Sequence, residues 1–106
     1  MSVKKPLEGV KVIEMSTFIA VPACSRFFAE FGAEVIKIES KGGDAVRYNG
    51  VSEGRLGDPY ENTTYDLENA HKKSIVINLK AEEGREILFK LLEDTDIFLT
   101  DRKSVV

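Results

Sequence analysis

Two short runs of β-branched residues, separated by one helix length, decide most of what this chain can fold into. Gly9 to Met15 reads GVKVIEM and Ala33 to Glu39 reads AEVIKIE. Short runs dominated by valine and isoleucine are typical of strands buried on both faces. Between them, Pro22 suits a first helical turn. Ala23, Cys24, Phe27, Phe28 and Phe31 recur at spacings that put them on one helical face, and Gly32 follows as a C-cap. Strand, helix and strand in about thirty residues make a βαβ unit, expected to be parallel and right-handed.

The pattern returns later in the chain. Ser74 to Leu79 (SIVINL) reads as a third strand, Ala81 to Glu93 as a helix with Glu82 and Glu83 in its first turn, and Asp96 to Thr100 (DIFLT) as a fourth strand. The expected elements are therefore strands at 10–15, 34–39, 74–79 and 96–100 and helices at 22–31 and 81–93. With 106 residues, the chain is read as a single α/β domain of Rossmann-like parallel βαβ units over 1–106. The expected core is Val12, Ile13, Phe27, Phe28, Val35, Ile36, Ile75, Ile77, Leu88, Leu91, Ile97 and Leu99. Residues 40–73 hold Gly42, Gly43, Gly50, Gly54, Gly57 and Pro59 without lasting periodicity, so a long loop is expected there.

Several function classes are set aside by composition. A net charge of −3 argues against generic nucleic-acid binding. No apolar run approaches the roughly 20 residues of a membrane span. No basic-then-apolar leader opens the sequence, and the expectation is a cytoplasmic protein. A single cysteine and a single histidine, Cys24 and His71, leave no disulfide framework and no metal site.

The chemistry-bearing residues are sparse. A strand, turn, helix and strand ending in Glu39 has the layout of a dinucleotide-binding unit, but its turn, STFIAVPAC, contains no glycine, which speaks against nicotinamide or flavin binding there. The edge beyond the strands' C-terminal ends is still where an open parallel sheet takes ligands. Lys80, Arg102 and Lys103 stand at that edge and can meet an anionic group. Lys72 and Lys73 precede their strand and are read as solvated charge at the opposite edge. Cys24 is read as a buried small hydrophobe, His71 has no evident partner, and no two carboxylates have the spacing of an acid/base couple. From the residues alone, the reading stops at an α/β domain whose edge can take an anionic ligand, and an enzyme part, a non-catalytic nucleotide-binding module and an interaction domain all stay open.

The order of longer phrases narrows this. PLEGVKVIE at 6–14, PAC at 22–24, GAEVIKIE at 32–39, GDAVR at 43–47, NAHKKSIVINLK at 69–80, EGREIL at 83–88 and DIFLT at 96–100 resemble the start of family III CoA-transferases of the CaiB/BaiF type, in order and near in spacing. ENTTYDLENA at 61–70 is most similar to the clostridial members that move CoA between an acyl-CoA and a 2-hydroxy acid such as phenyllactate or 2-hydroxyisocaproate. The resemblance implies the N-terminal part of the family's large domain, a longer parent chain and an interlocked second subunit. It implies acyl-CoA and a small carboxylic acid as substrates, with CoA a substrate rather than a permanently bound cofactor.

The resemblance also carries over CoA contacts. They fall on Ile19 and Ala20 after the first strand and on Ser40, where the family often has arginine. They continue at Ile77, Asn78, Leu79 and Lys80 on the third strand's end, and at Asp101 and Arg102, where asparagine and an aromatic are common. Val21 stands where glycine often precedes the family's proline. In the family an aspartate attacks the thioester carbonyl, releases CoA thiolate and forms a mixed anhydride, splitting one hard transfer into easier steps. None of Asp44, Asp58, Asp66, Asp94, Asp96 or Asp101 matches that aspartate's motif, so the nucleophile is placed beyond Val106 and these residues alone are expected to be inactive.

Overall fold

In a computed structural model, which describes residues 3–51, 54, 55, 58 and 60–102, the β-branched runs are strands of one parallel sheet. The strands are β1 (Lys11–Met15), β2 (Glu34–Glu39), β3 (Lys73–Val76) and β4 (Ile97–Thr100). Their order is β3–β2–β1–β4. The helices are α1 (Ala20–Glu30), α2 (Thr63–Glu68) and α3 (Glu82–Leu92). The α/β class expected from the sequence is thus the one observed.

Alternation along the strands sends the two faces into separate layers. Ile13, Met15, Ile38 and Ile77 meet Leu88 of α3, with Ile36, Ile75, Leu91 and Phe98 packed around them. Val12 and Val35 face the other way, against Ala29 of α1 and Ala33, with Phe28, Ile97 and Leu99 alongside. Of the expected core, Val12, Ile13, Val35, Ile77 and Leu88 are buried, and Phe28, Ile36, Ile75, Leu91, Ile97 and Leu99 are half-buried.

Phe27 is a correction, because it is 60% exposed. Cys24 is a second one, lying exposed instead of buried. The face that α1 buries is Pro22, Ser25 and Ala29, at the spacing i, i+3 and i+7. Small residues let the helix approach the sheet closely, and the Ser25 hydroxyl donates to Glu14 on β1 and to the Pro22 carbonyl. Maximum hydrophobicity selected the wrong stripe, because the sheet surface beneath α1 is partly polar.

The 40–73 loop also needs correcting. Its described residues include a 3-10 turn at Ala45–Tyr48 and helix α2. Both start at a side-chain cap: Asp44 accepts from the Val46 N–H, and Asn62 from the Thr64 and Tyr65 N–H groups. Gly57 and Pro59 of this stretch, and Lys103, lie outside the described residues.

β3 stops three residues short of the expected end, because β2 has no residue left to pair after Glu39. The Ile77 N–H still reaches the Glu39 carbonyl at 3.1 Å, and Asn78 then turns the chain, its side chain accepting from the Lys80 N–H. Gly84 of α3 packs on that turn: a Cβ there would stand 1.9 Å from the Asn78 carbonyl oxygen. Alanine is the better helix former by about 1 kcal/mol. The clash is with backbone, however, and overpacking costs about 1–3 kcal/mol. Gly84→Ala is therefore expected to lower unfolding stability in urea by about that range. Unchanged stability would mean that the turn at Asn78 shifts freely.

Candidate functional site

The C-terminal ends of the strands frame a cleft of about 470 Å³. Met15, Ile38, Ile77 and Leu79 give it apolar surface, continuous with the layer under α3. Lys41, Lys80 and Arg102 bring positive charge from three different connections, after β2, β3 and β4. An apolar surface flanked by cations suits a ligand that carries both phosphates and an apolar or planar body.

Six of the nine residues expected at a ligand site line this one cleft: Ser40, Ile77, Asn78, Leu79, Lys80 and Arg102. Ile19, Ala20 and Asp101 do not. Ile19 precedes α1 at its N-cap, and Ala20 opens the helix. Asp101 uses its carboxylate to accept the Thr17 N–H at 3.0 Å, tying the end of β4 to the β1–α1 turn. Sequence reasoning missed Met15, Ile38, Lys41 and Gly42 as lining residues.

Glu39, at the end of β2, also lines the cleft, but its oxygens are engaged. Oε1 accepts from the Asp44 N–H at 2.7 Å and Arg47 Nε at 2.8 Å. Oε2 accepts from the second Arg47 nitrogen at 2.7 Å, the Tyr65 hydroxyl at 3.0 Å and the Ser74 hydroxyl. Arg47 also lies over the Tyr65 ring, 3.7 Å from its centroid. Burial pushes the Glu39 carboxyl up, but the hydrogen bonds from Arg47, Ser74, the Asp44 amide and Tyr65 together outweigh it and hold the group at about 2. A carboxylate so occupied is a structural hub rather than the free acceptor that a nucleotide ribose requires.

Behind the cleft runs a second, fully buried set of charges that the sequence did not reveal. Glu14 of β1 stands in register with Lys37 of β2. Lys37 Nζ lies 2.9 Å from Glu14 Oε2 and 2.9 Å from Asp44 Oδ2. Lys72 Nζ completes the set at 2.6 Å from Glu14 Oε1, and it donates to the Pro22 carbonyl and to Asn69. This overturns the solvated reading of Lys72, whose ammonium is enclosed under α1. Burial pushes the Glu14 carboxyl up, yet the Lys37, Lys72 and Ser16 contacts bring it below its usual range. Burial pulls the Lys72 ammonium down, against the opposing pull of Glu14.

Through Asp44 this cluster shapes the edge of the sheet. Asp44 Oδ1 accepts the Phe18 N–H at 3.0 Å and the Val46 N–H at 3.0 Å, so one carboxylate joins the β1–α1 turn to the segment after β2. His71 is exposed with a left-handed backbone, φ 68°. No group of three metal-ligating side chains occurs among the described residues. No helix among them is long and apolar enough to cross a membrane.

Residues 7–106 match the family model of CoA-transferase family III. Over 93 residues the chain is 62% identical to the cinnamoyl-CoA:phenyllactate CoA-transferase of Clostridium sporogenes, covering 88% of this chain and 23% of that protein. It is 50% identical over 95 residues to the (R)-2-hydroxy-4-methylpentanoate CoA-transferase of Clostridioides difficile, covering 90% and 24%. The crystal structure of a CaiB/BaiF family protein from Brucella suis superposes with a TM-score of 0.81 at 31% identity, over 92% of this chain and 26% of that one. The chain thus spans about a quarter of the length of these relatives.

Proposed function

We propose that this chain, which belongs to CoA-transferase family III, supplies CoA-binding surface to an enzyme that moves CoA between an acyl-CoA and a small carboxylic acid. The observation that carries this is the cleft at the strand ends, with apolar surface from Met15, Ile38, Ile77 and Leu79 and cations at Lys41, Lys80 and Arg102. The cations suit the phosphates of CoA, and the apolar surface suits its uncharged parts. The names of the two clostridial relatives support a 2-hydroxy acid as acceptor.

The attacking carboxylate is supplied from outside these residues. The six aspartates have other chemistry to explain them. Asp44 is paired with Lys37, Asp94 with Lys11, and Asp96 accepts the Lys11 N–H. Asp58 accepts the Tyr60 and Glu61 N–H groups, Asp101 holds Thr17, and Asp66 sits exposed in the first turn of α2. None is among the residues lining the cleft. The rest of the transferase, an interlocked second subunit and a cytoplasmic location complete the proposal.

Calorimetric titration with CoA tests it. Weak binding is expected, falling several-fold between about 0.05 and 0.5 M salt as screening tightens, and falling again in Lys80→Ala. Mixed with phenylpropenoyl-CoA and a 2-hydroxy acid, the chain should give no acyl-CoA exchange above the buffer blank. Exchange that disappears on replacing one of the six aspartates would place the nucleophile within these residues. A folded chain that ignores CoA would remove the binding reading.

A further inference from the structure

The two edges of the sheet are not alike. β4 is half-buried along its whole length, whereas β3 is exposed at Lys73, Ser74 and Val76. The parity of the ladder says which backbone groups this leaves open. The Ile77 N–H reaches the Glu39 carbonyl, and the residues that bond to one neighbour alternate along a strand. Lys73, Ile75 and Ile77 therefore turn their N–H and C=O groups toward β2, and Ser74 and Val76 turn theirs outward. Neither of these two has an outward backbone partner among the described residues. An open edge of this kind is a template for a further strand.

A groove of about 380 Å³ lies against this edge. Ser74 and Val76 form one side of it, and Lys41, Gly42, Tyr48 and Tyr60 line the rest. The Tyr48 hydroxyl donates to the Gly42 carbonyl at 3.1 Å, which fixes that ring. Tyr60 is 90% exposed and Val76 61%. Open backbone beside two tyrosines and a valine suits an extended segment, whose alternate side chains need apolar surface.

The free charges here have one sign. Lys41 stands on the ridge that the groove shares with the cleft, and Lys73 opens the strand with its nearest ion-pair partner, Glu34, 3.8 Å away. Glu39 also lines the groove, but Arg47, Tyr65 and Ser74 occupy its carboxylate. Such a frame favours an acidic occupant. It disfavours a second copy of this chain. Two β3 edges related by a twofold axis run antiparallel, which brings Lys73 of each copy toward Lys41 of the other.

We propose that the free edge of β3 binds an extended acidic segment of a partner protein. The segment adds to the four-stranded sheet by pairing with the Ser74 and Val76 backbone, lays an apolar side chain against Tyr48 and Tyr60, and sets its carboxylates near Lys41 and Lys73.

The probe is a short synthetic peptide of alternating valine and threonine with an aspartate at each end, blocked at both termini. In the dilute chain alone the Ser74 and Val76 amides should exchange fast, and saturating peptide should slow both by about tenfold or more. By calorimetry, a peptide with lysine in place of each aspartate should bind several-fold more weakly. A fully N-methylated peptide, which has no N–H to donate, should not bind. Val76→Pro should also abolish binding while the chain keeps its wild-type circular dichroism and its response to CoA. Proline is tolerated at an edge where the N–H faces outward, and Val76 does not line the cleft. Should that variant unfold, the N-methylated peptide on the wild type gives the same test. A folded chain indifferent to the aspartate peptide would overturn the proposal, as would binding that survives N-methylation or amides already slow in the dilute chain. Equal binding of the aspartate and lysine peptides would remove the acidic occupant. Exchange that slows with chain concentration alone would give the edge to a second copy and overturn the proposal too.

Discussion

Replacing Lys37 with methionine should destabilise the fold by about 3–5 kcal/mol, the usual effect of removing one partner from a buried ion pair. Lys37 and both carboxylates it touches, Glu14 and Asp44, are completely enclosed. With Lys72 the four groups carry two charges of each sign. Methionine retains much of the lysine stem's volume, so the loss comes from charge rather than from a cavity. What remains is Glu14 and Asp44 against Lys72 alone, one uncompensated negative charge with no water to solvate it. Lys11→Met is the control, since the Lys11–Asp94 pair lies in solvent and its removal should barely register. Adding Asp44→Asn to Lys37→Met restores neutrality and should recover part of the loss, a coupling that a double-mutant cycle reads directly. Urea unfolding of the wild type, Lys11→Met, Lys37→Met, Asp44→Asn and the Lys37→Met/Asp44→Asn double variant gives all five numbers. Equal losses for Lys37→Met and Lys11→Met would mean that the cluster is hydrated and carries no such weight.

Lys37 also marks where the sequence stopped being legible. The β-branched runs revealed the strands because a period of two and a short apolar run are local properties. The same runs contain Glu14 and Lys37, and local pattern treats a charge in a strand as a residue turned to solvent. Only the register between β1 and β2 sets those two side chains against each other, and register is a long-range fact. Lys72 joins them across fifty-eight positions of chain, beyond the reach of any window. Helix α1 failed for a related reason: its sheet-facing stripe is Pro22, Ser25 and Ala29 because Glu14 lies beneath it and needs a hydroxyl, so the aromatic stripe with Phe27 turned outward. In 40–73, polar hubs replace apolar periodicity, and the Asp44 and Asn62 caps were the available local signals. The cleft was more accessible. Parallel strands place their C-terminal ends together, so Ser40, Ile77 to Lys80 and Arg102 converge by topology alone. All nine candidates rest on the resemblance, with Lys80 and Arg102 also following from the strand ends, and nothing in the strand pattern says which side of the edge the turn at Ile19 and Ala20 faces.

Acid should unfold this chain through Glu39, and the Glu39→Gln variant should lose that part of the acid response. The folded carboxyl sits at about 2, against 4.5 for the free group. Because the folded value is the lower one, the contribution is fully present above pH 4.5 and disappears as pH falls toward about 2. Integrated over that window, the shift is on the order of 3 kcal/mol for this nearly enclosed side chain. The loss has a location. Glu39 holds Arg47, the Asp44 N–H, Tyr65 and Ser74, so protonation frees the segment after β2 that supplies Ser40, Lys41 and Gly42 to the cleft. The same cluster sets a boundary in alkali: burial, with the neighbouring Glu39 charge, pushes the Tyr65 hydroxyl up to about 12 from 10.0. Its folded value is the higher one, so the stability it adds is present below pH 10.0 and is lost as pH rises through about 12. Urea midpoints measured from pH 6 to pH 2 give the first comparison. The wild-type curve should fall away from that of Glu39→Gln below about pH 4.5, with Glu14 supplying the acid sensitivity the two share. Ultraviolet titration gives the second: without the Glu39 charge, Tyr65 should ionise at lower pH. Parallel stability curves, together with an unmoved tyrosine titration, would show that Glu39 does not organise the wall of the cleft.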